Sequence, residues 1–142
     1  MVFWDSSAIV SLLVADRHSE PARQALRADD HMIVWWGTQV ECLSALARTE
    51  RHGVLSPSDS DGARRDLAIL RERWDEVSPI EEVRDRAGEL LLRHPLSAAD
   101  AFQLAAAISW AGGRARGRPF HTYDSELGDA ARREGFDLVP GR

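Results

Sequence analysis

The sequence has no lysine, one cysteine (Cys42) and no apolar run of membrane-spanning length. Each absence removes a class. A lone cysteine builds neither a disulfide framework nor a cysteine-based zinc site within one chain. A phospho-receiver domain needs a lysine near its end, beside its strand-end acids, and none is present. Phosphate-cradling and dinucleotide-binding glycine loops are missing, as are HExxH and GxSxG. A haloacid-dehalogenase-like phosphatase needs a second acid two residues after its strand-end Asp, and position 7 is Ser. The N-terminus has no basic flank followed by an apolar stretch, so no signal peptide is expected. Together these features predict a cytoplasmic protein with no membrane association.

Positive charge is also in the minority. The net charge is −5 and the pI about 5.5, which argues against a broad, phosphate-gripping DNA binder. It leaves nucleic acid open as a substrate, because a small acidic site can sit beside a basic rim. "RRDLAILRER" (64–73) and "RARGR" (114–118) are locally basic; a solvated helix face and a loop are their expected roles.

The 142 residues contain no repeat, low-complexity tract or linker, so one domain over 1–142 is expected. Strands are expected at "VFW", "MIVWW" (32–36), "EVSPI" (76–80), "PFHTY" and "FDLVP". Helices are expected over 6–15, 19–28 with Ser19 as cap, 38–53 with Thr38 as cap, 63–74, 81–94, 97–113 and "SELGDAARREG". This alternation predicts an α/β domain: a small, mainly parallel sheet flanked by helices on both faces. The five tryptophans are expected mainly in the core.

In such a sheet ligands bind outside the carboxyl ends of the strands. Asp5 and Asp124 each follow a strand directly, and Glu41 falls in the first turn of the helix after the second strand. Each also has a plain structural role open to it: Asp5 and Asp124 as helix caps, and "TQVE" and "SAAD" as capping boxes. Gathered at one crevice, however, carboxylates repel, and a divalent cation relieves the conflict. Oxygen-only ligands favour Mg²⁺ or Mn²⁺ over zinc. Ser6 or Ser7, and Thr122, are short hydroxyls placed to orient such carboxylates.

"DSSA" (5–8), "VECLSALAR" (40–48), "LSAADAFQLAAA" (96–107) and "TYDSELGDAARREGFDLV" (122–139) together resemble the PIN domain. The resemblance is greatest to VapC-type toxin ribonucleases of bacterial toxin–antitoxin pairs, and it runs over residues 3 to 139. It implies a three-layer sheet-and-helix fold, with Asp5, Glu41, Asp100 and Asp124 as a catalytic quartet binding Mg²⁺ or Mn²⁺. It further implies metal-dependent RNA hydrolysis, homodimerisation, and inhibition by a small VapB-like antitoxin. Ser7 and Thr122 would support the metal ligands. Asp100 follows a helix, so its place at the site comes from the resemblance alone. His121 departs from the family's usual apolar residue before "T-x-D", and "GGRARGRPF" is a longer, more basic approach. The alternative is a catalytically inactive PIN-like module that binds RNA or protein. The apolar stretches "IVSLLVA" and "ECLSALA" are expected to supply part of a groove or dimer face.

Overall fold

The computed structural model describes residues 1–139. In chain order the elements are β1 (Val2–Trp4), α1 (Ser6–Leu13), α2 (Ser19–Ala28), β2 (Met32–Trp35), α3 (Thr38–Arg51), α4 (Pro57–Arg73), β3 (Asp75–Val77), α5 (Glu81–Arg93), α6 (Ala98–Trp110), β4 (Pro119–His121), α7 (Ser125–Arg133) and β5 (Asp137–Leu138). The strands pair in the order β3-β2-β1-β4-β5, and every pairing is parallel.

The two-residue period of a strand assigns side chains to opposite faces. Val2, Trp4, Met32 and Val34 enter one core with Ala8 and Ile9 of α1, Ala22 of α2, Cys42 of α3 and Leu67 of α4. Phe3, Ile33 and Trp35 enter the other, against Val83 and Leu90 of α5, Leu104 of α6 and Leu127 of α7. Parallel strands need helical crossovers, which cover both faces and give three layers. Phe3 and Trp4 are fully buried; truncating either to Ala would cost about 3–5 kcal/mol.

The topology itself fixes where a ligand can sit. From β1 the chain steps outward to β2 and β3, then returns to the other side of β1 for β4 and β5. The strand order therefore reverses between β1 and β4, and the crevice at their carboxyl ends is the switch point of the sheet.

Several local expectations need correction. Ser19 does not cap α2: the cap position is His18, and the Ser19 hydroxyl donates to the Val14 carbonyl (3.1 Å) and accepts from Asp16 N–H (2.9 Å). Thr38 does not cap α3 either. Gly37 holds that position, and Thr38 Oγ1 accepts a bond from Gln103 Nε2 at 2.9 Å. Helix α4 starts at Pro57, six residues before the expected Ala63. Ser56 caps it through Asp59 N–H (3.1 Å), with proline tolerated in the first turn, where its missing N–H costs nothing. Strand β3 is shifted to Asp75–Val77 and β5 is only Asp137–Leu138; Pro140 of the expected last strand lies outside the described residues. Trp36 falls just past β2 and is 56% exposed, not core. Helix α3 does stop where expected, at Gly53, whose φ of 75° suits glycine.

Candidate active site

Asp5 is the first residue after β1, and its backbone N–H donates to the His121 carbonyl at the end of β4 (3.1 Å). This bond ties the two strand ends together at the switch point. Asp5 is 2% exposed. Its Oδ1 accepts from Ser7 Oγ (2.8 Å) and Ala8 N–H (3.2 Å), and its Oδ2 from Thr122 Oγ1 (2.9 Å). Burial pushes its pKa up to about 7, against the pull of these bonds, and the negative charge of Asp100 raises it further.

Asp124 follows β4 and caps α7 by accepting from Leu127 N–H (2.9 Å). Its own N–H donates to Thr122 Oγ1 (3.0 Å). Thr122 therefore links Asp5 and Asp124 through one hydroxyl. Ser7 closes the same network, since its Oγ lies 3.3 Å from Thr122 Oγ1 and accepts from Tyr123 N–H at 2.9 Å.

Glu41 sits in the first turn of α3. Ser6 Oγ donates to its Oε1 (2.9 Å) and Gln103 Nε2 to its Oε2 (3.2 Å). Burial raises its pKa, the two bonds lower it, and Asp100 raises it again. Asp100 lies in the first turn of α6, after the Ser97 cap. Burial raises its pKa first, followed by the charge of Asp124; Glu126 adds a smaller contribution.

Asp100 is thus the hub: its charge is felt at Asp5 and Glu41, and it feels Asp124. The amino ends of α1, α3, α6 and α7 all carry one of the four acids, so helix dipoles supply partial positive charge there. No ion pair among the described residues involves any of the four. Equally, no three His, Cys, Asp or Glu side chains among the described residues already converge as a cation-holding group. The acids share one edge and one electrostatic field, with Asp5 and Glu41 held by local hydrogen bonds. As a donor set they fit a hard divalent cation: carboxylate oxygens, with no imidazole or thiolate bonded to them. Asp100 and Asp124 are half-buried, and Asp124 spends one carboxylate oxygen on the α7 cap.

Gln103 escaped sequence reasoning. It is fully buried on α6, one turn after Asp100, and its Nε2 bridges Thr38 and Glu41. The available signal was an amide inside the most apolar helix, which burial would force to find partners. Beside these residues runs a groove of about 680 Å³ lined by Ser6, Glu41, Arg48, His18 and Tyr123.

The PIN domain family model matches residues 2–133. No curated protein gives a significant match. Solved structures with similar folds include a toxin–antitoxin complex from Klebsiella pneumoniae (15% identity, 99% of this chain and 94% of that chain, TM-score 0.65). Another is VapC20 of Mycobacterium tuberculosis, a toxin that cleaves the sarcin–ricin loop (18% identity, 92% and 95%, TM-score 0.67). A third is FitAcB from Neisseria gonorrhoeae (16% identity, 99% and 98%, TM-score 0.68). At these identities the likeness is one of fold. With the family model spanning nearly all of it, the chain belongs to the PIN domain family.

Proposed function

We propose that this chain is a Mg²⁺- or Mn²⁺-dependent endoribonuclease, the toxin of a toxin–antitoxin pair. One observation carries the proposal. A buried carboxylate, Asp5, with no cationic partner among the described residues, lies at the switch point of the sheet in the field of Asp100. A protein does not keep such a charge uncompensated without cost. A divalent cation balances it.

Asp5, Asp100, Asp124 and Glu41 are the residues that would hold the metal. When bound, a divalent cation polarises the phosphoryl oxygen and lowers the pKa of water. The chain's own groups do the rest. Ser7 and Thr122 fix the Asp5 carboxylate through one bond to each oxygen. Ser6 and Gln103 hold Glu41 in place, and burial, by raising its pKa, makes its carboxylate a stronger base for a proton from the attacking water. Water, not the ribose 2′-hydroxyl, attacks phosphorus, the P–O3′ bond breaks and the 3′-oxygen leaves with a proton, so the products carry 5′-phosphate and 3′-hydroxyl ends.

The toxin assignment takes support from the toxin–antitoxin complex and the RNA-loop-cleaving toxin among the fold neighbours. By analogy the partners are a VapB-like antitoxin and a second copy of the chain. Apolar surface is available: Val40 is 69% and Ile69 58% exposed. A recess of about 230 Å³ lies between Leu12, Leu13, Leu26, Ile69 and Leu70. The alternative is an inactive RNA- or protein-binding module of the same fold. RNA digestion with Mg²⁺ or Mn²⁺ against an EDTA control separates the two. Hydrolysis with 5′-phosphate ends, lost in Asp5→Asn and Asp100→Asn, supports the nuclease. Cyclic phosphate ends, or cleavage retained in both variants, refutes it.

A further inference from the structure

The imidazole of His18 lies over the Tyr123 ring, with centroids 4.1 Å apart and planes 14° from parallel. Neither residue serves the acids directly, yet the pair is tied to them. The Tyr123 N–H is held by Ser7 Oγ, which also bonds Asp5. His18 is fixed from its own side by Asp16, which accepts its backbone N–H (2.7 Å), and by Arg17 Nε, which donates to its Nε2 (3.3 Å).

The pair stands between two hollows and lines both. On one side is the groove of about 680 Å³ with Glu41 and Arg48. On the other is a hollow of about 350 Å³ with Asp124 and Arg132. Each is of the size, roughly 300–1,000 Å³, that encloses a small-molecule-sized group. Arg48 is exposed and belongs to no ion pair among the described residues; Arg132 is paired only with exposed Asp129. Asp16 also lines the groove, but its carboxylate already accepts from His18 N–H and the Ser19 hydroxyl. A strand running past the acids would therefore cross an aromatic ridge with a guanidinium on either side.

We propose that the His18–Tyr123 pair is a stacking ridge for one unpaired base of the RNA substrate, with Arg48 and Arg132 taking the phosphates to either side. The inference rests on RNA being the ligand, as proposed above. Every base has a π face, so the ridge selects for an unstacked, single-stranded nucleotide next to the cleavage site and not for a particular sequence. Base-paired RNA keeps its bases buried in the helix and gains nothing from the ridge.

Binding measured in EDTA keeps this test independent of hydrolysis. A short fluorescent single-stranded RNA, carrying 2-aminopurine at successive positions, is titrated with the full chain. The expected result is quenching at one register. His18→Ala, with an unchanged circular dichroism spectrum, abolishes the quenching and weakens binding about 10- to 100-fold, the range for one base–aromatic stack. His18→Phe retains both, and Arg48→Gln weakens binding and its salt dependence while leaving the quenching. If His18→Ala fails to fold, abasic substitution along the RNA with the wild-type chain locates the same register by a similar loss. Equal binding and quenching by wild type and His18→Ala overturns the ridge, as does uniform tolerance of abasic sites. Duplex binding as tight as single-strand binding, or no RNA binding at all, also overturns it. If the ridge holds but Mg²⁺ and Mn²⁺ elicit no cleavage, only the nuclease assignment fails.

Discussion

Asp5 and Glu134 are both acids drawn in from solvent, and the molecule treats them in opposite ways. Glu134, just past α7, meets Arg93 (3.1 Å) and His94 (2.7 Å) at the end of α5. Burial pushes its pKa up, but the hydrogen bonds from His94 and Arg93, together with the positive charge beside it, hold it below the ordinary 4.5. Asp5 is buried more deeply and receives only hydroxyls and one backbone N–H, so its pKa rises. The difference separates two uses of a carboxylate. Glu134 clamps two helices and is electrically complete. Asp5, with Glu41 and Asp100, is left short of positive charge at the crevice where the topology expects a ligand.

Substitutions sharpen this contrast. The largest effect is predicted at the uncompensated edge: Asp5→Asn and Asp100→Asn should each lower RNA hydrolysis roughly 100-fold or more, measured as kcat/KM with Mn²⁺. Removing a supporting bond should cost less. Gln103→Leu, Ser7→Ala and Thr122→Val are each expected to lower metal affinity or activity about 10- to 100-fold. At the clamp the pattern should invert. Glu134→Gln is predicted to lower stability by about 1–3 kcal/mol in urea unfolding while leaving hydrolysis unchanged. Comparable activity losses at Glu134 and Asp5 would erase the distinction.

In the pH dependence the two acids have opposite signs. Asp5 holds a proton in the folded state between its ordinary value near 3.8 and about 7. Its contribution to stability therefore falls as pH rises through that window. Glu134 is the reverse: its contribution is complete above 4.5 and is lost as pH falls through its lowered folded value. Urea unfolding in EDTA should show Asp5→Asn gaining on wild type from pH 4 to pH 7, about the window set by the shift.

Much of this was legible in the sequence, for identifiable reasons. Asp5 and Asp124 terminate short apolar runs, so βα connectivity placed them at the carboxyl edge, and a cap is compatible with that place: both do cap helices. Asp100 was different, because a helix and not a strand precedes it; only the pattern "LSAADAFQLAAA" marked it. Gln103 was hidden in that same helix, since the partners that explain it are 65 and 62 residues away. Trp36 misled because an apolar run does not show where a strand ends and a turn begins. The start of α4 was obscured by "SPSDSDG", whose Ser-Pro opening is a helix start while its Asp and Gly resemble a loop. The ridge of His18 and Tyr123 joins residues 105 positions apart, and nothing in either local sequence announces the pairing.

The central claim is that the uncompensated acids at the switch point take up a divalent cation. Calorimetric titration of Mn²⁺ into the EDTA-stripped chain near neutral pH, in buffers of different ionisation heat, measures this without any RNA. Saturable binding with proton release, lost in Asp100→Asn while its fold is unchanged, is the predicted result. Failure of the wild-type chain to bind Mn²⁺ more tightly than Asp100→Asn would contradict it.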